Sequence, residues 1–241
     1  MIVNHEEIKK FTNIASEWWN YNGSFKLLHE INPIRIEYIL SQAKAFFSLQ
    51  KNDDIKKLKI LDVGCGGGIL SIPLSRLGAK VSGIDAGLEN IEIAREKAAS
   101  EGLKIDFECI KIEDFVKKRE RFDLVICLEV LEHIDDPKDF LSSIAKLTKK
   151  DGMVVLSTIN KTLKAKVLAI GIAEYILGLV PRGTHTYEKF ITPYQLHQYC
   201  LSNQLYSLNM TGMVFDIKSR EWKLSDDLDI NYFVSLKKDR I

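Results

Sequence analysis

The amino-acid sequence predicts an α/β protein built on one mostly parallel sheet. Apolar strand segments recur at residues 58–63, 80–85, 122–129 and 152–159, and segments with helical spacing separate them. This alternation is typical of a parallel sheet flanked by helices. A weaker strand segment at 105–110 fits between the second and the third of these.

The carboxyl-terminal part of the chain extends this sheet. Thr192 and Pro193 open a short helix, and strand-like segments follow at 206–215 and 232–236. We expect this last pair to form an antiparallel edge, as sheets of mixed direction often carry one. The sequence therefore predicts seven strands in total, mostly parallel.

Composition limits the classes of function. The chain has 241 residues, of which 46% are hydrophobic, and its 34 Lys and Arg nearly balance 33 Asp and Glu. A net charge of +1 gives no global attraction to nucleic acid, so no nucleic-acid partner is expected. The four cysteines lack zinc-ligand spacing and the first ten residues lack a secretory signal, which favours a cytoplasmic protein.

A glycine-rich turn is the strongest local signal. Glycines at 64, 66, 67 and 68 follow a buried strand and precede a helical segment, the place where such sheets bind ligands. Glycine allows close approach of a ligand to the backbone, and Asp85, ending the next strand, could accept both hydroxyls of a ribose. A compact packing turn is the alternative. A dinucleotide-binding fingerprint would have its third glycine at position 69, where this sequence has Ile69. The pattern of glycines at 64, 66 and 68 instead resembles the cofactor loop of class I methyltransferases.

More specific segments lie outside this loop. They are Ala-Ser-Glu-Trp-Trp at 15–19, the stretch 23–35 that ends in Asn-Pro-Ile-Arg, Glu-Val-Leu-Glu-His at 129–133, Ala-Glu-Tyr-Ile-Leu at 173–177 and Gly-Thr-His at 183–185. Together they resemble the ubiquinone-biosynthesis O-methyltransferase family over most of the chain.

The resemblance implies a Rossmann-like, seven-stranded class I methyltransferase sheet and S-adenosyl-L-methionine as cosubstrate. It implies one domain over 1–241, with an N-terminal helical cap (1–57), a cofactor-binding core (58–160), an insertion after the fifth strand (161–191) and a C-terminal helix with strands (192–241). It also implies methylation of ring hydroxyls of a 2-polyprenyl-6-hydroxyphenol and of 3-demethylubiquinol. The cofactor-binding residues it implies are Arg35, Asp62, Gly64, Gly66, Asp85 and Leu128.

Methyl transfer to a phenol needs help in removing the hydroxyl proton. Glu129, Glu132 and His133 follow a predicted strand, where a helical turn would bring positions i, i+3 and i+4 together. The trio could bind Mg²⁺, which the resemblance implies, or His133 could act as the base without a metal. Helix capping by Glu132 and His133 is an equal alternative, and His185 is a weaker candidate for the base.

The insertion suggests contact with lipid. Residues 167–180 are apolar but too short to span a bilayer, and 161–189 carry five basic and two acidic residues. This pattern favours an anionic membrane surface on the inner face, where a polyprenyl substrate resides; a helix covering the pocket is the alternative. Other quinone-biosynthesis enzymes are further expected partners. Another phenolic or carbon acceptor, or a non-catalytic cofactor-binding scaffold, remain open as alternative functions.

Overall fold

The computed structural model describes residues 5–50, 52–168 and 186–239. Within these ranges no helix is both long enough and apolar enough to cross a membrane. The middle of the predicted insertion, with the family segments at 173–177 and 183–185 and His185, lies outside the described residues.

Eight strands of the described ranges form a single sheet. Its order is β3-β2-β1-β4-β5-β8-β6-β7, and the chain reverses its direction of winding between β1 and β4. A crevice opens at such a reversal, at the carboxyl ends of the strands. In chain order the strands are β1 (Lys59–Val63), β2 (Lys80–Asp85), β3 (Asp106–Cys109), β4 (Phe122–Leu128), β5 (Thr148–Ile159), β6 (Leu205–Asp216), β7 (Glu221–Ser225) and β8 (Asn231–Lys238).

The five strands from β1 to β5 run parallel and form the centre of the core. Leu124 and Cys127 of β4 and Val155 of β5 have no exposed surface. Strands covered by helices on both faces consist of continuous apolar residues, and for this reason they could be recognised in the sequence. The predicted α/β fold with a mostly parallel sheet is confirmed.

The antiparallel part of the sheet is larger than predicted. β8 pairs antiparallel with β5, with Leu156 beside Val234, and β6 follows on its other side. The prediction of seven strands was one short, because β7 pairs with the end of β6 and places Trp222 beside Phe215. β7 has no residue that is fully buried, so it lacks the apolar run by which the other strands were recognised.

Eight helices of the described ranges flank the sheet or cap its edge. Three helix starts carry side-chain caps: the Asp136 carboxylate accepts a hydrogen bond from the Asp139 amide, the Thr162 hydroxyl accepts one from the Ala165 amide, and Thr192 and Gln195 form a capping box. The helices are α1 (His5–Thr12), α2 (Lys26–Phe46), α3 (Ser71–Arg76), α4 (Leu88–Ser100), α5 (Ile112–Phe115), α6 (Pro137–Leu147), α7 (Leu163–Ala165) and α8 (Pro193–Leu201).

The N-terminal helices pack onto this sheet. Tyr38 and Ile39 of α2 are buried with residues of the central strands, and the Tyr38 ring stacks on Phe233 of β8 at 4.8 Å between centroids. The Tyr38 hydroxyl donates to Asn209 of β6. α2 is thus fixed across the antiparallel strands. Trp18, which precedes α2, and Arg35, in its first half, lie at the carboxyl edge of the parallel strands.

Candidate active site

A cleft occupies the carboxyl edge between β1 and β4. The loop after β1, the ends of β2 and β4, and residues of α1 and α2 line it. All six residues predicted to bind the cofactor lie in its wall: Arg35, Asp62, Gly64, Gly66, Asp85 and Leu128. Glu129 and His133 also line the cleft, together with Phe11, Trp18 and Asn90.

The glycine loop needs glycine for its backbone. Gly64, Gly66 and Gly68 have φ values of +74°, +51° and +83°, in the left-handed region that other L-residues rarely adopt. The amides of Gly64 and Cys65 both donate to the Ile84 carbonyl, at 2.8 and 3.0 Å, and so tie the loop to β2. The conformation therefore explains the glycine pattern without reference to a ligand.

The indole of Trp18 supplies a second reason for these glycines. A Cβ atom on Gly66 or Gly67 would lie 2.4 Å from Trp18 ring atoms. The Trp18 Nε1 donates to Asn90 Oδ1 at 2.9 Å, and the Trp19 Nε1 donates to the Gly67 carbonyl at 2.9 Å. The sequence analysis favoured a ligand in this space and kept a compact packing turn as the alternative; a side chain of the N-terminal cap takes part of the space.

Asp85 is held in place by three donors. Its Oδ2 accepts from the Gly66 amide at 3.1 Å, and its Oδ1 accepts from the Gly87 amide at 2.8 Å and from Asn90 Nδ2 at 3.1 Å. Burial raises the pKa of Asp85, and these three donors oppose that rise. Because a carboxylate offers about four acceptor positions, the fixed Asp85 side chain retains capacity for a ligand hydroxyl.

Asp62 lies deeper in the same wall. It is 3% exposed, and its Oδ2 accepts from the Ser71 hydroxyl at 2.6 Å. Burial raises the pKa of Asp62 to about 6, while the Ser71 hydrogen bond and the charge of Arg35 act in the opposite direction. A partly desolvated carboxylate of this kind suits a cationic ligand group, which would favour its ionised form.

Arg35 reaches the cleft from α2 and forms an ion pair with Glu129 through Nη2 and Oε2. The two side chains are only 6% and 17% exposed. The Nε of Arg35 is buried and has no hydrogen-bond partner among the described residues. Unpaired buried donors are rare in folded proteins, and this one belongs to a guanidinium that lines a cleft, which fits an anionic ligand.

Glu132 and His133 have different surroundings. Glu132 is 3% exposed and does not line the cleft; its Oε2 accepts from the Thr158 hydroxyl at 2.9 Å, and burial raises its pKa. His133 lines the cleft, and its ring meets that of Phe11 from α1 at 5.1 Å between centroids, with the planes 87° apart. Of the predicted trio, His133 and Glu129 therefore line the cleft, whereas Glu132 does not.

The structure does not group the three predicted metal ligands. Across the described ranges, no three His, Cys, Asp or Glu side chains are grouped so as to hold a metal ion. The reason lies in the backbone, because Glu129 has a φ of +51° and only Leu131–His133 form a single 3₁₀ turn. The α-helical spacing that would bring Glu129, Glu132 and His133 together is absent from this turn.

An apolar pocket adjoins Asp85 on the side of β3. Val63, Ile84, Ile110, Ile112 and Phe140 line it with Gly64 and Val130. Asp85 and Lys111 are the charged residues in its otherwise apolar lining. Next to it, Glu113 has a buried Oε2 without a hydrogen-bond partner among the described residues.

Sequence reasoning missed several residues that shape the cleft. Asn90, Ser71 and Ser157 fix Asp85, Asp62 and Glu129, yet each is a small polar residue in an unremarkable helix or strand position. Phe11 carries no motif either. The tryptophan pair at 18–19 was visible as a signal, but its partner in the glycine loop was not.

Comparison with known proteins agrees with this geometry. A methyltransferase domain family matches residues 34–207. The ubiquinone biosynthesis O-methyltransferase of Pelagibacter ubique is 44% identical over 237 residues, covering 98% of both chains. The enzymes of the same name from Rickettsia prowazekii and Actinobacillus pleuropneumoniae are each 42% identical over 98% of this chain, and cover 91% and 99% of their own.

Solved structures support the fold. Magnesium protoporphyrin IX methyltransferase from Synechocystis with bound S-adenosylhomocysteine has a TM-score of 0.66 at 19% identity, covering 97% of this chain and 100% of its own. The plantazolicin methyltransferase BpumL, also with S-adenosylhomocysteine, has a TM-score of 0.64 at 16% identity and covers 98% of both chains. With whole-length relatives above 40% identity and the cofactor-type cleft described above, the chain belongs to the ubiquinone biosynthesis O-methyltransferase family.

Proposed function

We propose that this protein transfers the methyl group of S-adenosyl-L-methionine to ring hydroxyls of a 2-polyprenyl-6-hydroxyphenol and of 3-demethylubiquinol. The observation that carries the proposal is the convergence of Arg35, Asp62, Asp85 and His133 on one cleft beside the glycine loop. The whole-length similarity to relatives of that name supports the choice of substrate.

Different residues of the cleft bind different parts of the cofactor. Arg35 binds the carboxylate of its methionine part, because a guanidinium with an unpaired N–H matches a carboxylate in charge and shape. Asp62 and Gly64 border the same part, Asp85 accepts a ribose hydroxyl, and the Leu128 backbone adds a contact. Glu113 is a further candidate, as an acceptor for the adenine amino group.

The bound sulfonium supplies the electrophilic methyl group and the driving force. The protein aligns a phenolic oxygen with it and excludes water, and such positioning contributes several kcal/mol. Phe11 and Trp18 cover the cleft from the cap side. A ring nitrogen of His133 accepts the hydroxyl proton as the oxygen becomes nucleophilic, which is the role of a general base.

The assay for this proposal uses purified protein, labelled S-adenosyl-L-methionine and a short-tailed demethylubiquinol. Formation of the O-methylated product supports the proposed reaction. Repeating the assay after chelation of divalent ions tests the metal. Loss of turnover would support Mg²⁺ bound by Glu129, Glu132 and His133, whereas persistent turnover would leave His133 as a base without a metal. Absence of product from protein that binds S-adenosylhomocysteine would point to another acceptor or to a scaffold.

Replacement of His133 tests the base. His133→Ala should lower kcat by about 10²- to 10⁴-fold, the usual contribution of a general base, with little change in S-adenosylhomocysteine affinity. His197→Ala is the matched control, because His197 lies on α8, bonds to Ser207 and does not line the cleft. A wild-type kcat in His133→Ala would exclude the role.

A lipid substrate favours an enzyme that lies on the inner face of the membrane. Just after β5, Lys161 and Lys166 accompany Leu163 and Val167, whose side chains are 74% and 56% exposed. Exposed apolar and basic residues together favour anionic lipid surfaces. The protein should therefore sediment with anionic liposomes at low salt and less with neutral ones; no binding to either would oppose this part of the proposal.

A further inference from the structure

The Arg35–Glu129 ion pair connects the N-terminal cap to the central sheet across 94 positions of sequence. The proposed function gives a role to Arg35, and among the described residues Glu129 is not grouped with other potential metal ligands. What Glu129 does follows from how its carboxylate is held.

The Glu129 carboxylate is fixed by two strands. Its Oε1 accepts from the Ser157 hydroxyl of β5 at 2.6 Å and from Asn231 Nδ2 of β8 at 3.1 Å. Its backbone amide lies 3.2 Å from both Ser157 Oγ and the Ser157 carbonyl and donates to them. These contacts hold the residue at a φ of +51°, a conformation that an isolated glutamate seldom adopts.

The arrangement leaves the two oxygens with separate partners. Ser157 and Asn231 take Oε1, and Arg35 takes Oε2. One nitrogen of the guanidinium is thereby anchored to a rigid support, while Arg35 Nε keeps its hydrogen unpaired. A side chain as long as arginine otherwise loses much rotamer freedom on being ordered, so a fixed anchor prepares it for binding.

We infer that Glu129 is a positioning residue that holds Arg35 in the orientation required to bind the cofactor carboxylate. It also compensates the buried guanidinium charge while the cleft is empty, because an uncompensated buried charge is strongly unfavourable. The inference rests on the proposed role of Arg35. Glu129 itself does not touch the reacting atoms.

The affinities of the protein for two ligands distinguish this positioning role from a general structural role. S-Adenosylhomocysteine carries the amino-acid carboxylate, whereas 5′-methylthioadenosine has the same adenosine and lacks the amino acid. Glu129→Gln keeps the length of the side chain and removes its charge. It should weaken S-adenosylhomocysteine about tenfold, in line with the loss of a hydrogen bond between charged groups, and leave 5′-methylthioadenosine binding unchanged in calorimetry.

Arg35→Met is the reference variant. It should produce the same selectivity between the two ligands, and adding Glu129→Gln to it should have little further effect, because Glu129 acts through Arg35. If Arg35→Met shows the selectivity and Glu129→Gln does not, the positioning role is refuted while the role of Arg35 stands. If Arg35→Met shows none, both fail.

Other outcomes also decide against the inference. Equal weakening of both ligands would show that Glu129 only maintains the cleft. Tighter binding of S-adenosylhomocysteine would show that Glu129 competes with the ligand carboxylate for Arg35. Should Glu129→Gln fold poorly, Ser157→Ala removes one support of the carboxylate without touching Arg35, and a two- to threefold loss confined to S-adenosylhomocysteine is then expected; no loss would refute the role.

Discussion

Replacing Asp62 by asparagine should stabilise the protein while weakening its cofactor binding. The carboxyl group is buried at 3% exposure, and burial raises its pKa from 3.8 to about 6 despite the Ser71 hydrogen bond. An asparagine carbonyl can accept that same hydrogen bond. Asp62→Asn therefore removes the buried charge and retains the contact.

The sign of the pH dependence follows from this raised pKa. In the unfolded chain Asp62 ionises near pH 3.8, and in the folded protein only near pH 6, so the folded state binds more protons between these values. Wild-type stability should fall through this window as the pH rises. At about 1.4 kcal/mol for each pKa unit, the ionised carboxylate destabilises the folded protein by about 3 kcal/mol at pH 7.

Urea unfolding of both proteins from about pH 4 to pH 8, without cofactor, measures this difference. The variant should match the wild type at the acid end and exceed it by up to about 3 kcal/mol at pH 7. Asp114→Asn is a control of opposite sign, because a hydrogen bond from Lys117 lowers the pKa of this exposed carboxylate. A pH-independent difference, or a less stable Asp62→Asn at pH 7, would refute the reasoning.

Three further substitutions test the glycine loop and a helix cap. Gly67→Ala places a Cβ 2.4 Å from Trp18; it should cost about 1–3 kcal/mol of unfolding free energy, change tryptophan fluorescence and weaken S-adenosylhomocysteine. Gly102→Ala, at a φ of +67° with nothing within 4 Å of the new atom, should cost about 1–2 kcal/mol and leave ligand affinity unchanged. Thr192→Ala breaks the capping box with Gln195 and should cost about 1 kcal/mol in thermal or urea unfolding.

The bounds of the parallel strands could be predicted closely because each buried strand is a run of consecutive apolar residues. Segment 80–85 matches β2 at both ends, and segment 122–129 exceeds β4 by one residue. The edge strand β7 could not be recognised, since Glu221 to Ser225 mixes charged and apolar side chains and none is fully buried. Its strand conformation depends on pairing with β6, which is a property of the folded protein.

Individual residues of the candidate site could be predicted from the sequence, but the contacts between them could not. The glycine pattern and Asp85 follow local rules for strand-to-helix turns, so their position at the cleft could be inferred. The assumption of an α-helical turn at 129–133 failed, because one left-handed residue at Glu129 changes the direction of every side chain near it. The contacts of Ser157 and Asn231 with Glu129 span 28 and 102 positions and have no spacing rule.

The cap and the sheet build the cleft together, and this couples cofactor binding to the packing of the N-terminal helices. Trp18 seals the glycine loop and Arg35 meets Glu129, so separation of the cap would remove an apolar wall and the cationic group at once. Cofactor binding should therefore favour the packed position of the cap, because a ligand stabilises only the state that contains its complete site.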